Sequence, residues 1–495
     1  MAAAASISMA AAAATAVEVS IPTPTHNAAT RKMVAILRTV PPLSSSGLAA
    51  LGGGGGSLSR RSLSSGLSIS SFPPRFRSAH RSSPSAIPMA ISKPSSSSSS
   101  SASSPPPPPA AAAAAAASQA APAETEIGTK TKLQQLFQLE GQSPWLDNLS
   151  RGFIADGGLK DWIDKGVRGV TSNPTIFQKS ISGTSDYDDQ FAQLIQNGST
   201  AESAYWSLVV KDIQDALDVF RPLYVESGGE DGFVSVEVAP SLAHDTQGTV
   251  ENARLLHKAV DRPNVYIKIP ATKAGIPAIS QVISEGISVN VTLIFSIERY
   301  EEVFDAYVAG LEAYKGDDDL SKLSSVASFF VSRVDSEVDK RLDAIGTPEA
   351  LSLRGKTAVA QAQLAYDLFK KKCAEPRWQA LAARGARVQR PLWASTGVKN
   401  EAYPDTLYVD TLIGPHTVNT LPDATLKAFY DHGAIKRTID ADVAGAQAVI
   451  QAVERVGISL AEVADQLERE GVASFAKSFD DLMAALTAKG VLLKP

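Results

Sequence analysis

Strand-like and helix-like segments alternate from about residue 124 to residue 495, and this alternation constrains the fold more than any other feature of the chain. Short runs rich in apolar and β-branched residues are separated by polar loops and by stretches with apolar residues three and four positions apart. The predicted strands are Trp145–Leu149, Gly169–Ser172, Phe233–Val238, Val265–Ile269, Ser288–Leu293, Ser325–Phe330, Pro391–Ser395 and Leu407–Thr411. Repeated βα units predict a parallel sheet with right-handed crossovers. Eight units in about 350 residues favour a closed α/β barrel, the (β/α)8 TIM fold, over an open doubly wound sheet.

Helices are expected between most of these strands and beyond the last one. The clearest apolar spacings predict the helices Val250–Val260, Ile297–Ala313, Asp335–Ile345 and Thr357–Lys372, with a smaller helix at Leu133–Leu139. Past the barrel, Ser459-Leu460-Ala461-Glu462 is a candidate capping box that opens a short helix. Another helix is expected to start at Phe475-Ala476-Lys477-Ser478-Phe479. We expect these extra C-terminal helices to pack across the barrel.

Residues 1–123 have a composition that is not typical of a folded domain. They are dominated by Ala, Ser, Pro and Gly, and such a segment cannot bury enough apolar surface to offset its ordering entropy. Glu18 is their only acidic residue, against nine lysines and arginines. This profile predicts an organellar transit peptide with a disordered linker. A plain low-complexity tail is the alternative. Abundant serine and proline, and the absence of a clear amphipathic arginine helix, favour the chloroplast stroma over the mitochondrion.

The charge of the remaining chain argues against two classes of partner. The whole chain carries −5 and residues 1–123 carry +8, so residues 124–495 carry −13. An acidic body disfavours nucleic acid and anionic membranes as partners. Cys373 is the only cysteine, the histidines lack metal-ligand spacing, and no glycine-rich phosphate loop follows a strand. No metal site and no nucleotide cofactor are therefore expected.

Lys268 lies in the middle of the apolar run Val265-Tyr266-Ile267-Lys268-Ile269-Pro270, which has the character of a buried strand. Removing an ammonium group from water favours the neutral amine. A neutral, desolvated lysine amine attacks carbonyl carbons and forms a Schiff base. The alternative is a structural lysine, either paired with a carboxylate inside the barrel or extended from a strand end.

Other polar residues share the strand ends with Lys268, and active sites of barrels are built at the carboxyl ends of the strands. Period-two alternation places Glu237 on the inward face of its strand, and it does the same for Asn290 and Thr292. Each buried polar group costs about 1–3 kcal/mol unless it is satisfied. The expected strand-end set is Asp147, Asn173, Glu237, Lys268, Asn290, Thr292, Ser328, Arg333, Ser395, Lys399 and, on the predicted eighth strand, Asp410. Together they suit carbonyl chemistry, with two carboxylates available for proton transfer.

These residues lie in motifs that resemble the transaldolase family. The motifs are Gly169-Val170-Thr171-Ser172-Asn173-Pro174-Thr175, Val234-Ser235-Val236-Glu237-Val238, Val265 to Thr272, Asn290-Val291-Thr292-Leu293 and Ser328-Phe329-Phe330-Val331-Ser332-Arg333. They occur in the family's order from about residue 130 to 490. The Leu146-Asp147-Asn148-Leu149-Ser150-Arg151 segment is similar to the branch found in actinobacteria, cyanobacteria and plastids.

The resemblance implies a transferase of the pentose phosphate pathway that uses no metal or organic cofactor. Lys268 would form a Schiff base with sedoheptulose 7-phosphate or fructose 6-phosphate. Glu237 would hold a water molecule together with Thr292, and Asp147 would take the proton of the C4 hydroxyl group. Asn173, Asn290 and Ser328 are implied to hold the dihydroxyacetone unit, which passes to glyceraldehyde 3-phosphate or erythrose 4-phosphate.

The phosphate group of the substrate is expected at Arg333, Ser395 and Lys399. Arginine offers a bidentate fork and lysine a point charge. The family commonly has an arginine near the last of these positions, where this chain has Lys399. The alternative for Arg333 is an ion pair with Asp335 or Glu337 on a solvated helix face.

Two other functions remain open from the sequence. A class I aldolase that releases free dihydroxyacetone from fructose 6-phosphate would use nearly the same residues. A barrel that has lost activity and serves as a binding subunit is the other, although the retention of Lys268, Glu237 and Asp147 argues against it. The expected assembly is a monomer or a homodimer.

Overall fold

The computed structural model describes residues 130–316 and 319–493. Its parallel strands pair in sequence order and the last pairs with the first, so the sheet is a closed barrel. The strands are β1 (Gln142–Leu146), β2 (Gly169–Val170), β3 (Phe233–Glu237), β4 (Val265–Pro270), β5 (Val289–Ile294), β6 (Ser325–Phe330), β7 (Arg390–Ala394) and β8 (Thr417–Leu421). The predicted (β/α)8 barrel is confirmed. The transit peptide and linker predicted for residues 1–123 lie outside the described residues.

Helices surround the barrel and connect its strands. Those before β5 are α1 (Lys132–Glu140), α2 (Arg151–Ala155), α3 (Gly158–Asp164), α4 (Pro174–Gly183), α5 (Asp188–Gln196), α6 (Ala201–Glu226), α7 (Thr246–Val260) and α8 (Gly275–Ser284). Those after β5 are α9 (Ile297–Ala313), α10 (Ser332–Ile345), α11 (Pro348–Leu351), α12 (Thr357–Ala374), α13 (Pro376–Ala382), α14 (Leu407–Asp410), α15 (Asp423–His432), α16 (Val443–Arg455) and α17 (Leu460–Leu492). Short 3-10 turns occur at Pro240–Leu242 and Leu320–Lys322. In the described segments, no helix combines the length and apolar character needed to cross a membrane.

The predicted eighth strand, Leu407–Thr411, is wrong, and with it the placement of Asp410 on a strand. Residues Leu407–Asp410 form the helical turn α14, in which the Thr406 hydroxyl donates to the Asp410 carboxylate at 2.7 Å. The true strand β8 begins at Thr417 and carries polar residues on both of its faces. Among them, Asn419 donates through Nδ2 to the Tyr408 carbonyl at 3.0 Å. A strand whose polar residues find polar neighbours on both faces lacks the apolar alternation that would reveal it.

The prediction of two separate helices at the C-terminus is also wrong, because α17 is one continuous helix of 33 residues. The predicted start is confirmed in part: the Ser459 side chain accepts from the Glu462 backbone N–H and caps the helix. Gly471 lies inside α17, where a glycine weakens a helix. A Cβ atom there would lie 2.9 Å from Leu293 Cδ2, so the glycine permits close approach to the end of β5.

The amino-terminal end of the barrel is filled by buried side chains. The rings of Phe233 and Tyr266, from the starts of β3 and β4, stack with their centroids 4.2 Å apart. Buried Asp231 accepts from Arg168 Nε at 2.6 Å and from Arg390 Nη1 at 3.1 Å. With this end closed by packing and ion pairs, the polar side chains available to a ligand lie at the carboxyl ends of the strands, as expected for this fold.

Candidate active site

Lys268 is buried inside the barrel, with 4% of its surface exposed. The strand register places it between Glu237 of β3 and Asn290 of β5. Its Nζ lies 3.4 Å from Glu237 Oε2 and donates to the Ser172 carbonyl at 3.2 Å. The amine is therefore held at a defined point by one carboxylate and one backbone oxygen. The alternative of a structural lysine paired with a carboxylate accounts for the contact between Lys268 and Glu237. It does not account for the Ser172 carbonyl and Asn290, which also flank the amine.

Glu237 and Thr292 carry buried oxygen atoms that lack a hydrogen-bond partner among the described residues. They are Glu237 Oε2, whose nearest cation is Lys268, and Thr292 Oγ1. Burial raises the pKa of the Glu237 carboxyl, and Lys268 offsets part of that rise. Buried polar atoms are normally satisfied, and an ordered water molecule is the usual partner when no side chain is available. These two oxygens thus fit the predicted water site.

Asp147 follows β1 directly and lies at the mouth of the barrel. Its backbone N–H donates to the Leu421 carbonyl at 2.9 Å, which anchors it to the end of β8. The Thr171 hydroxyl donates to Asp147 Oδ1 at 2.7 Å. Loss of hydration raises the pKa of the Asp147 carboxyl, while Lys268 and Thr171 lower it by smaller amounts. Because its pKa is raised, the ionised Asp147 carboxylate is a better proton acceptor than a carboxylate in water.

Two of the residues expected to hold the dihydroxyacetone unit are joined in a buried network. Asn290 donates through Nδ2 to Ser235 Oγ at 3.0 Å, and its Oδ1 accepts from the Ser328 hydroxyl at 2.7 Å. Asn173 has an additional structural role, because its Oδ1 accepts from the Ile176 N–H at 3.0 Å and caps α4. The network orients the Asn290 amide and the helix cap orients that of Asn173, so each presents a defined set of donors and acceptors.

Arg333 is the second residue of α10 and remains available for an anion. Within the described chain it makes no hydrogen bond or ion pair, and its guanidinium lies 5.1 Å from the Phe330 ring. Burial lowers the pKa of Arg333, with Asp147, Glu470 and Glu237 exerting smaller opposite effects. The ion pair considered as an alternative is wrong. Asp335 accepts from Ala358 N and Tyr408, and Glu337 pairs with Arg341 and Lys340.

Ser395 and Lys399 differ in how closely they join this site. Ser395 follows β7 in a left-handed conformation, with φ at +56°, and its hydroxyl lies 3.0 Å from that of Ser332, the neighbour of Arg333. Such strain in a non-glycine residue is often stored at functional sites. Lys399 lies on an exposed loop beyond this contact. The structure thus brings Ser395 to Arg333 and leaves Lys399 at the rim.

The arrangement combines a buried amine, two carboxyl groups with raised pKa values and an unpaired guanidinium in one mouth. An amine beside carboxyl groups suits imine formation and proton transfer, and a free guanidinium suits phosphate. The described residues contain no group of three or more His, Cys, Asp or Glu side chains arranged for a metal ion. The sequence of this chain matches the family described as Transaldolase/Fructose-6-phosphate aldolase over residues 144–486.

The chain belongs to this family. Among curated relatives, Transaldolase 1 of Streptomyces coelicolor is 54% identical over 370 residues, which are 73% of this chain and 97% of the relative. The transaldolase of Acidothermus cellulolyticus is 54% identical over 70% of this chain and 94% of its own length. That of Mycobacterium marinum is 53% identical over 70% and 95%. The predicted resemblance to the actinobacterial-type branch is confirmed, and the chain is an enzyme of the transaldolase, or transferase, type.

Three groups in the mouth of this transaldolase-family barrel have contacts that the sequence did not assign. The Ser172 carbonyl accepts from Lys268, and the Thr171 hydroxyl binds both Asp147 and Thr420, the latter at 2.7 Å. Phe475 of α17 has its ring centroid 5.8 Å from Lys268 Nζ. Thr171 and Ser172 belong to the Gly169–Thr175 motif, whereas only the three-dimensional path of α17 shows that Phe475 lies near Lys268.

Proposed function

We propose that this chain transfers a dihydroxyacetone unit from a ketose phosphate to an aldose phosphate through a Schiff base on Lys268. The donors are sedoheptulose 7-phosphate or fructose 6-phosphate, and the acceptors are glyceraldehyde 3-phosphate or erythrose 4-phosphate. One observation carries the proposal: the buried Lys268 amine lies 3.4 Å from a carboxylate inside the barrel mouth. Membership of the transaldolase family supports the reaction class.

In the first step, the neutral amine of Lys268 attacks the C2 carbonyl carbon of the ketose phosphate. The carbonyl oxygen leaves as water, and this departure needs a proton donor. Glu237 would deliver the proton through a water molecule bound to Thr292, and the unpartnered oxygens of both side chains support such a site. The raised pKa of Glu237 favours this role, because burial makes its protonated form easier to populate than that of a carboxyl group in water.

In the second step, Asp147 removes the proton from the C4 hydroxyl group. The C3–C4 bond breaks, its electron pair moves toward the iminium nitrogen, and the aldose phosphate leaves. The three-carbon enamine stays on Lys268, held by Asn290, Ser328 and Asn173. The acceptor aldehyde then reverses the bond cleavage, and hydrolysis of the new imine restores the amine.

The phosphate end of both substrates would bind Arg333 and Ser395. The unpaired guanidinium can offer two parallel donors to phosphate oxygens. Lys399, on its exposed loop, would add a point charge from the rim. Arg333 and Lys268 lie at the same mouth, so a substrate bound at both ends would present its carbonyl carbon to the amine.

Borohydride trapping tests the proposal. The full chain is incubated with fructose 6-phosphate, with and without erythrose 4-phosphate, then reduced and mapped by mass spectrometry. A dihydroxyacetone-sized adduct on Lys268 that the acceptor discharges is expected. The control variant Lys273→Met, which changes an exposed lysine three residues beyond β4, should keep the adduct, whereas Lys268→Met should lose it. An adduct that disappears without acceptor would favour the aldolase. If no adduct formed, the only remaining alternative would be a barrel that has lost activity.

We further propose that the enzyme acts in the chloroplast stroma as a monomer or a homodimer. The composition and positive charge of residues 1–123 support an imported precursor. A fluorescent protein fused behind residues 1–123 should accumulate in plastids of plant cells, and mitochondrial or cytosolic fluorescence would contradict this. Light scattering on the purified protein would determine its assembly.

A further inference from the structure

Helix α17 crosses the mouth of the barrel and is attached on both sides of it. On one side, Gln466 Oε1 accepts from Arg341 Nη2 of α10 at 2.7 Å. On the other, the Ser478 hydroxyl lies 2.8 Å from that of Thr175 in α4. Between these points the helix passes over the ends of β4 and β5. Because these contacts hold α17 on both sides of the mouth, its middle lies at a fixed distance from the strand ends beneath it.

Gly471 brings the middle of α17 close to the end of β5. A Cβ atom at this position would lie 2.9 Å from Leu293 Cδ2 and 3.5 Å from Arg333 Nη1. Leu293 itself has φ at +60°, at a bulge where the β5–β6 register shifts. A bulky residue in that conformation is strained and persists only when its surroundings hold it. Gly471 in α17 and the strained backbone of Leu293 in β5 therefore both contribute to the close contact between helix and strand.

One turn further along α17, Phe475 faces the amine of Lys268. Its ring centroid is 5.8 Å from Nζ, and the residue is 5% exposed. Apolar atoms in contact are about 3.5–4.0 Å apart, so this gap leaves room for a carbon atom bonded to Nζ beneath the ring. The next aromatic residue, Phe479, packs instead against Tyr205 and Trp206 of α6.

We propose that Phe475 is a positioning residue that excludes water from the enamine on Lys268. This inference rests on the proposed Schiff-base function. The enamine has two fates. Its C3 carbon can attack an aldehyde, forming the new C–C bond while the aldehyde oxygen takes a proton. Alternatively C3 takes a proton from water, and hydrolysis then releases free dihydroxyacetone and the amine. Covering the site with an apolar ring suppresses the second route, because closed sites prevent proton leakage and hydrolysis of reactive intermediates.

The test is the ratio of free dihydroxyacetone released to dihydroxyacetone transferred, measured with fructose 6-phosphate and erythrose 4-phosphate. Phe475→Ala opens a gap above the amine and should raise this ratio about tenfold. Phe475→Leu restores apolar cover and should return the ratio to within about threefold of the wild type. Phe479→Ala removes the same atoms from the same helix away from Lys268 and should leave the ratio unchanged.

Gly471→Ala is a second variant that leaves no cavity. The added methyl group pushes α17 away from Leu293 and should raise the ratio in the same direction. Thermal unfolding of each variant reports whether the barrel is intact. If Phe475→Ala, Gly471→Ala and the wild type gave equal ratios, the inference about Phe475 would be overturned. A borohydride adduct on Lys268 in the wild type would show in that case that the proposed transferase still stands. Absence of that adduct in the wild type would overturn the Schiff base and this inference with it.

Discussion

Replacing Lys268 by methionine should destabilise the fold as well as abolish the proposed Schiff base. The Nζ–Oε2 distance of 3.4 Å corresponds to an attraction of about 5 kcal/mol at an effective dielectric constant of about 20. Both side chains are buried, and removing one partner of such a pair costs about 3–5 kcal/mol because the other charge is left uncompensated. We therefore expect Lys268→Met to lower the free energy of unfolding by about that amount near neutral pH.

This loss should depend on pH in a defined direction. Burial already raises the pKa of Glu237 above its ordinary value of 4.5, and Lys268 is the largest influence that lowers it. In Lys268→Met the folded protein holds the Glu237 proton still more tightly than the unfolded chain does. The free energy of unfolding then falls as pH rises from the ordinary carboxyl range through the raised pKa. The defect should therefore be largest at about pH 8 and shrink toward about pH 5.

Urea unfolding followed by circular dichroism at both pH values measures the effect. The double variant Lys268→Met/Glu237→Gln is the matched control, because it removes the buried charge. An unsatisfied neutral amide costs about 1–3 kcal/mol, so the double variant should recover about 2 kcal/mol of the loss. Equal stability of the single and double variants at high pH would refute the coupling of the two side chains.

Four further predictions concern catalysis. Asp147→Asn should lower kcat/KM for transfer by a factor of about 10² to 10⁴, the usual contribution of a general base, while borohydride still traps free dihydroxyacetone on Lys268; loss of trapping would assign Asp147 to imine formation. Arg333→Lys should lower kcat/KM about 10- to 100-fold for fructose 6-phosphate but not for unphosphorylated fructose, since it removes charge-assisted hydrogen bonds. Lys399→Ala should stay within about fivefold of the wild type on either substrate, as exposed charges contribute little; a larger effect would place its loop over the phosphate. Burial raises the pKa of Asp147, and its proposed role as a base needs the ionised form, so activity should fall on acidification at a pH above the ordinary value of 3.8. A pH profile of kcat/KM that stays flat down to that value would contradict this.

The sequence predicted the part of the site that depends on strand alternation. Lys268 and Glu237 follow the period of two in strongly apolar strands, so their inward direction could be derived from neighbours alone. The parallel register, which sets Glu237 opposite Lys268 and Lys268 opposite Asn290, follows once the barrel is accepted. Local pattern and tertiary packing agree at these positions.

The errors arose where tertiary contacts outweigh the local pattern. Leu407-Tyr408-Val409 alternates like a strand, yet the Tyr408 hydroxyl donates to Asp335 at 2.9 Å and the segment turns as α14. Strand β8 lacks a recognisable alternation because Thr417 and Asn419 find polar partners in Gln142 of β1 and the Tyr408 carbonyl of α14. Phe475 could not be assigned from sequence at all. Its position above Lys268 depends on the length of α17 and on the close contact at Gly471, neither of which leaves a local signal.

The closure of the barrel has a consequence for how the chain reaches its native state. Strand β1 pairs with β8, and Gln142 Nε2 donates to Thr417 Oγ1 at 2.9 Å across 275 positions of sequence. Pairing between such distant segments requires the closure of a long loop and slows folding. A ribosome makes β1 first and β8 last, so a nascent chain holds β1 without its final neighbour throughout most of its synthesis. Its unpaired edge during that interval offers a template for association with other chains.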